Sequence, residues 1–407
     1  MDQYRPYLDA IAADQPAMRQ CVIEWANINT GTRNLAGLRT LADRLSDFIA
    51  EHFHLTPQRL DLKPESVIDA RGESRQIPLG QALTFAIRPE APLRVFCCIH
   101  MDTVYGPDHS FQQVTELDAD RIKGPGVTDA KGGLVVMLHA LRAFEQTPWH
   151  DRVGYEVLIN PDEEIGSPGS SPLLSAAAKR DHLGLLFEPA LPDGSLVDRR
   201  RGSGNFTIVI HGKSAHAGRD FASGRSALLA AAELTLRLHA LNSQLGGVTV
   251  NIGAIDGGGP VNVVPDLAIV RLNVRTTAKA DEERVLFSLH HLVGEYDLKH
   301  GLRASLHGHF ASPPKLITPG TTALLQNITA TGRQLGLQLT AGPSGGVSDG
   351  NKLAAAGLTN IDTLGVRGGS IHSPDEFLIV SSLVERAQLT ALLLMRFASG
   401  EIDWRFA

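Results

Sequence analysis

Leu93–Ile99 reads LRVFCCI, and the next three residues are His100-Met101-Asp102. A short apolar run with β-branched and aromatic members, stopped at once by ionisable residues, predicts a buried strand. The pattern recurs. Gly154–Ile159 (GYEVLI) runs into Asn160-Pro161-Asp162-Glu163-Glu164, and Leu183–Phe187 (LGLLF) into Glu188. Ile361–Val366 (IDTLGV) is followed, after a glycine-rich turn, by His372-Ser373-Pro374-Asp375-Glu376. Continuous apolar runs are what strands covered on both faces need, so these four predict a mostly parallel sheet. Leu134–Phe144 (LVVMLHALRAF) predicts the helix of a βαβ unit between the first two. Residues 36–53 carry leucines, Phe48 and Ile49 at helical spacing. The fold class is therefore α/β.

Texture changes after Glu188. Pro189 to Gly204 holds Pro, Gly, Asp and the triplet Arg199-Arg200-Arg201, and reads as a solvated linker. Asn205–Ile210 then predicts a strand and Ser226–Leu241 a helix. Val248–Ile252 and Ala268–Val274 predict strands, and Asp281–Tyr296 another helix. This βαββα-like run reads as an inserted small α+β domain that ends near Ala311-Ser312-Pro313-Pro314.

Composition limits the function. The 407 residues are enough for two domains. The formal net charge of -6 argues against a nucleic-acid partner, which needs a basic face. No signal peptide or membrane-length apolar run is read. Cys97 and Cys98 sit in an apolar run and Cys21 stands alone, which fits a reducing, cytoplasmic setting.

Sites in open α/β sheets form at the carboxyl ends of strands. His100, Glu163, Glu164, Glu188 and His372 are expected to meet there. Gly126-Val127-Thr128-Asp129-Ala130-Lys131-Gly132-Gly133 would bring Asp129 in on a sharp turn. Imidazole with carboxylate suits zinc, with cobalt and manganese as substitutes. A lone divalent ion among Asp129, Glu164 and Glu188 leaves the site negative. Two such ions are neutralised by three carboxylates and a hydroxide. Asp102 is spaced to accept the free imidazole N–H of His100. Glu163 and Glu164, on an extended segment, would point opposite ways: one ligates and the other acts as general base. A different class is also legible. Gly342-Pro343-Ser344-Gly345-Gly346 fits a serine-hydrolase elbow, with Asp362 and His372 following in order, but it leaves the acidic cluster unexplained.

Together these strings resemble the aminoacylase, acetylornithine deacetylase and glutamate carboxypeptidase family of dinuclear zinc hydrolases, nearest the carboxypeptidase G type. The likeness also runs through Gly212-Lys213-Ser214-Ala215-His216-Ala217-Gly218 and Asn262-Val263-Val264-Pro265. It implies a metallopeptidase or amidohydrolase that cleaves a peptide or N-acyl amino acid. The first substrate implied is a C-terminal glutamate amide, and the alternative is deacylation of an N-acyl amino acid. It implies that Asp129 bridges two zinc ions, that His100 and Glu188 complete one shell, and that Glu164 and His372 complete the other. Glu163 is then the general base and Asp102 the partner of His100. The peptide bond after Asp129 is expected to be cis. The inserted domain, 200–310, corresponds to a ferredoxin-like lid and dimerisation domain, and 1–199 with 311–407 to the zinc-binding domain. His216 is implied to reach the partner subunit's oxyanion in a homodimer. Asn262 and Arg275 would contact substrate, and Gly345 and Gly346 would line the carboxylate wall. Departures are Ile99 where many members have Gly, Asn273 where many have Asp, and Glu188 where many have Asp.

Overall fold

In the computed structural model, which describes residues 1–297 and 301–405, the LRVFCCI run is the strand Leu93–His100. Its side chains alternate between two cores. Val95, Cys97 and Ile99 enter the larger one, with the helices Arg5–Ala13, Gln15–Ala26, Leu35–Phe53, Gly132–Glu145 and Ser381–Ser399. Phe96 and Cys98 enter a smaller core with Leu174 and Leu353, from the short helices Ser171–Ala177 and Asp349–Ala355. Both faces are covered, which is why the run is apolar throughout. All three cysteines are free.

The sheet has six strands in the order Gln58–Leu60, Ala82–Ile87, Val153–Asn160, Leu93–His100, Leu183–Leu186 and Asn360–Ile361. The last three pairings are parallel and the first two antiparallel. The two strands that pair antiparallel at one side of the sheet, and the first two helices, were not legible as such. The run at Ile361 is shorter than its sequence suggests. Its regular pairing stops at Ile361, where Asp362 turns to Arg200 and Lys315, although Leu364 N–H still donates to the Leu186 carbonyl at 3.1 Å.

Helix Gly132–Glu145 is buried nearly all round, as an apolar helix must be. Gly133 lets its first turn lie directly on a strand end: a Cβ there would stand 2.1 Å from the Phe187 carbonyl.

A second body begins at Gly202. Its order is strand Gly202–His211, helix Ala227–Gln244, strands Thr249–Gly257 and Leu267–Thr276, helix Lys279–Asp297 and strand Arg303–Ser312. This βαββαβ unit forms an antiparallel sheet in the order 249–257, 267–276, 202–211, 303–312, the ferredoxin-like arrangement. Ser226 caps the first helix by accepting the Leu229 N–H. The body has its own core, with Phe206, Ile208, Leu234, Val270 and Leu289. Its last strand was missed because Gly308 and two histidines break the apolar alternation.

The arginine triplet is not a solvated linker. Leu196–Arg200 is a strand paired parallel to Ala341–Ser344. Arg200 is buried and donates from Nε and Nη2 to Asp362 at 2.8 and 3.0 Å. Lys315 Nζ donates to the same carboxylate at 2.9 Å. Burial alone would raise the Asp362 pKa, but Arg200 and Lys315 hold it below the ordinary carboxylate range. The chain's two crossings between the bodies lie side by side. Arg200 and Lys315 exchange backbone hydrogen bonds at 3.0 and 3.1 Å, and the Asn351 amide donates to the Arg201 and Pro313 carbonyls. Among the described residues no helix is long and apolar enough to cross a membrane.

Candidate metal centre and active site

Each strand delivers its ionisable residue to the same sheet edge. His100 ends its strand, Glu163 and Glu164 follow Asn160, and Glu188 follows Leu186 by two residues. Two donor groups form there: His100, Asp129 and Glu188, and Asp129, Glu164 and His372. Asp129 belongs to both. Its Oδ1 lies 3.1 Å from His100 Nε2, and its Oδ2 lies 3.2 Å from His372 Nε2. Glu188 Oε2 is 3.7 Å from His100 Nε2, and Glu164 Oε2 is 3.1 Å from His372 Nε2. The Asp129-Ala130 peptide is cis, as the resemblance implied.

The imidazole of His100 is oriented by its own chain. Nδ1 lies 3.0 Å from the Asp102 carbonyl oxygen, so it carries a proton, and Nε2 is turned toward Asp129 and Glu188. The Asp102 carboxylate is 3.4 Å from the same nitrogen. It also accepts the backbone N–H groups of Glu163 and Glu164 at 3.1 and 3.3 Å, and the Thr32 hydroxyl at 2.7 Å. Glu163 and Glu164 are not on extended chain. They open a single tight turn, Glu163–Ile165, because Asp102 gathers both amides. Their side chains still diverge. Glu164 meets His372, while Glu163 feels Glu188 and Arg200.

Burial dominates the electrostatics. It raises Glu163 well above the usual carboxylate range, with Glu188 adding to it. Glu164 is pushed up to about 7 by burial and by Asp129. His372 is raised to about 11 by its hydrogen bonds to Asp129 and Glu164. Burial disfavours charge on His100, but Glu188, Asp102 and Asp129 outweigh it and raise it. So many buried acids need shared positive charge, and protonated imidazoles supply it in the bare chain. A divalent cation suits each donor group: imidazole nitrogen and carboxylate oxygens converge with atoms within 4.8 Å of one another.

The two groups open into a cavity of 640 Å³. Its polar side includes Arg200, Ser203, Asn205, Asn273 and Arg275; its apolar side includes Ile165, Leu191, Val347 and Ile371. Arg275 donates to Asn273 at 2.9 Å and has no acidic partner among the described residues, and its buried Nη1 makes no hydrogen bond. Gly346 lines the cavity; Gly345 and Asn262 do not. His216 is exposed and lies outside the cavity too. Its Nδ1 accepts the N–H groups of Gly218 and Arg219 at 3.1 and 3.2 Å. The proton of the neutral ring is therefore on Nε2, as an outward-facing donor.

Residues 98–396 match the profile of peptidase family M20/M25/M40. The chain belongs to that family. It is 26% identical over 404 residues to carboxypeptidase G2 of Pseudomonas sp. (strain RS-16), covering 96% of this chain and 92% of that one. It is 28% identical over 289 residues to the succinyl-diaminopimelate desuccinylase of Gluconobacter oxydans (strain 621H), covering 67% of this chain and 73% of that one. A solved M20 metallo-carboxypeptidase from Sulfolobus solfataricus shares the fold, with a TM-score of 0.72 at 15% identity over 94% of this chain and 99% of that one. So does a Bacillus subtilis protein described as a dinuclear metal binding peptidase of the family, with a TM-score of 0.65 at 16% identity over 95% and 99%. The chain is thus an M20 hydrolase of the metallopeptidase kind.

An M20 assignment leaves no work for a serine triad. Asp362 is taken by Arg200, Lys315 and Ser348, and His372 pairs with Asp129 and Glu164. Ser344 Oγ accepts the Gly346 N–H at 3.1 Å. Sequence reasoning overlooked Arg200, Ser203 and Asn205 in the cavity wall. A buried arginine at the end of an apolar pair, Leu196-Val197, was hidden by its basic neighbours.

Proposed function

We propose that this M20 hydrolase cleaves the amide bond of a peptide or N-acyl amino acid that carries a free carboxylate, releasing a C-terminal amino acid as a glutamate carboxypeptidase does. The observation that carries the proposal is the sharing of Asp129 between two imidazole–carboxylate groups at the floor of one cavity. In this reading Asp129 would be shared by two zinc ions, His100 and Glu188 would hold one, and Glu164 and His372 would hold the other. Cobalt or manganese could replace zinc. When bound, the ions supply Lewis acidity that polarises the scissile carbonyl and acidifies water.

The protein's own groups do the rest. Arg275, without an acidic partner among the described residues, receives the substrate carboxylate through charge-assisted hydrogen bonds. Gly346, which lines the same cavity, completes that contact, whereas Gly345 and Asn262 lie outside the lining and are given no part in it. Glu163 takes a proton from the attacking water and delivers it to the departing nitrogen. Its raised affinity for a proton in this buried setting is in keeping with that role. Asp102 fixes the His100 ring. His216, exposed and outside the lining of its own subunit's cavity, donates to the oxyanion of a partner subunit in a homodimer. The free cysteines are in keeping with a cytoplasmic enzyme.

The desuccinylase relatives favour a second reading, deacylation of an N-acyl amino acid, by the same bond cleavage. Assay of Glu163→Gln tests the shared chemistry. Bound metal should match the parent while turnover falls by about 10²–10⁴-fold. Parental turnover in that variant would remove the general base from the scheme.

A further inference from the structure

Glu376 closes the HSPDE string, yet none of the roles above uses it. Its side chain is fully buried and, among the described residues, makes no salt bridge. Its four hydrogen bonds come from elsewhere. Oε1 accepts the backbone N–H groups of Thr128 and Asp129 at 2.9 and 3.0 Å. Oε2 accepts the N–H of Gly126 at 3.2 Å and the Tyr105 hydroxyl at 2.9 Å. The same hydroxyl lies 2.8 Å from the Ser373 carbonyl oxygen. Backbone bonds extend the seam: Gly124 N–H to the Glu376 carbonyl at 3.1 Å, and the Thr128 hydroxyl to the Phe377 carbonyl at 2.6 Å.

We infer that Glu376 and Tyr105 form a clamp that positions Asp129 and His372 toward each other, and so sets the geometry of the shared metal centre. The connection is direct. Tyr105 belongs to the segment that follows His100, Glu376 to the turn that begins at His372, and the three amides to the loop that ends at Asp129. Three of the five proposed ligands are thereby tied to one carboxylate. A buried acid with no cation in ion-pair contact is costly to keep, and Lys131 acts on it only from a distance. An apolar residue of similar size would fill the space, but it would leave three amides of the Asp129 loop without an acceptor. The acid is therefore matched to the backbone of that loop rather than to core packing. Glu376 and Tyr105 are positioning residues; neither lines the cavity.

The inference rests on the dinuclear reading above. Its test uses the full-length chain, stripped by a chelator and titrated with Zn²⁺ by calorimetry, with the visible spectrum of the Co²⁺-loaded protein as a second readout. Glu376→Gln and Tyr105→Phe keep the size of each side chain. Both should keep the circular dichroism of the metal-free parent and stay folded at the assay temperature while Zn²⁺ affinity weakens by about 10–100-fold and the Co²⁺ bands shift. Asp375→Ala, changing the exposed neighbour that pairs with Lys123, should bind as the parent does. If the parent takes up Zn²⁺ and both clamp variants bind it equally tightly with unchanged Co²⁺ spectra, the clamp is overturned and the dinuclear reading stands. If the parent itself takes up no Zn²⁺, both fall.

Discussion

The Asp102 carboxylate accepts the backbone N–H of Glu163 at 3.1 Å, so the acid beside one proposed ligand also holds the chain that carries the proposed base. It is fully buried, and Glu164 and Thr32 donate to it as well. Asp102→Asn puts an N–H₂ group among these donors. We expect kcat to fall by about 10–100-fold with the fold intact by circular dichroism. A parental kcat would mean that the turn holds Glu163 without it.

His216 and Glu163 can be separated by subunit mixing. His216→Ala and Glu163→Ala should each be nearly inactive alone. If His216 serves a partner's site, mixed dimers regain part of the activity, because some sites combine an intact base with an intact donor. Mixtures no better than their components, despite subunit exchange seen by mass spectrometry, would return His216 to its own subunit or to no role.

Arg275→Met should raise KM more than it lowers kcat. Loss of a charge-assisted bond to carboxylate costs about 1.5–3 kcal/mol, or roughly 10–150-fold. Steady-state kinetics on a substrate and on its carboxamide analogue checks this. A variant that discriminates between the two as well as the parent does would place the carboxylate elsewhere.

A chelator should abolish turnover, and added Zn²⁺ should restore it. An organophosphonate that reacts with activated serine should have no effect, since among the described residues Ser344 makes no hydrogen bond to His372 or Asp362 that could activate it.

His139 predicts an acid-sensitive fold. Its ring is buried, neither nitrogen makes a hydrogen bond, and Phe48 packs against it at 5.5 Å. Burial, with His52 adding, lowers its pKa to about 4. Asp14 is 3.8 Å away but is engaged by Arg142. Between an unfolded value of about 6.5 and the folded value, the unfolded chain binds the proton and the folded chain does not. Stability is thus full above about pH 6.5 and declines as pH falls toward 4, by on the order of 3 kcal/mol. In His139→Leu the gap between melting temperatures at about pH 4.5 and about pH 7.5 should narrow. An unchanged gap would assign the acid sensitivity to other groups.

The sequence was most legible where burial forces a simple pattern. Leu93–His100 and Val153–Asn160 are covered on both faces, so their apolar runs mark the strands and their polar ends mark the site. Gln58–Leu60 lies at the sheet edge, half solvated, and has no such signature. Arg200 defeated the reading because a buried cation and a solvated one look alike until the partner, Asp362, is found far along the chain. The ligand candidates were legible as strand-end residues. What holds them was not, since hydrogen bonds that distant amides donate to Glu376 and Asp102 leave no trace in spacing.

The paired stems at Arg200 and Lys315 have a consequence for how such a molecule can arise. The second body enters and leaves through adjacent residues, Ser203 standing opposite Ser312. A module whose two ends lie side by side can be spliced into a surface loop while the host keeps its own path. Replacing residues 202–312 by a short glycine-containing turn should therefore leave the remaining sheet and helices to fold together, which circular dichroism and melting of the shortened chain would check.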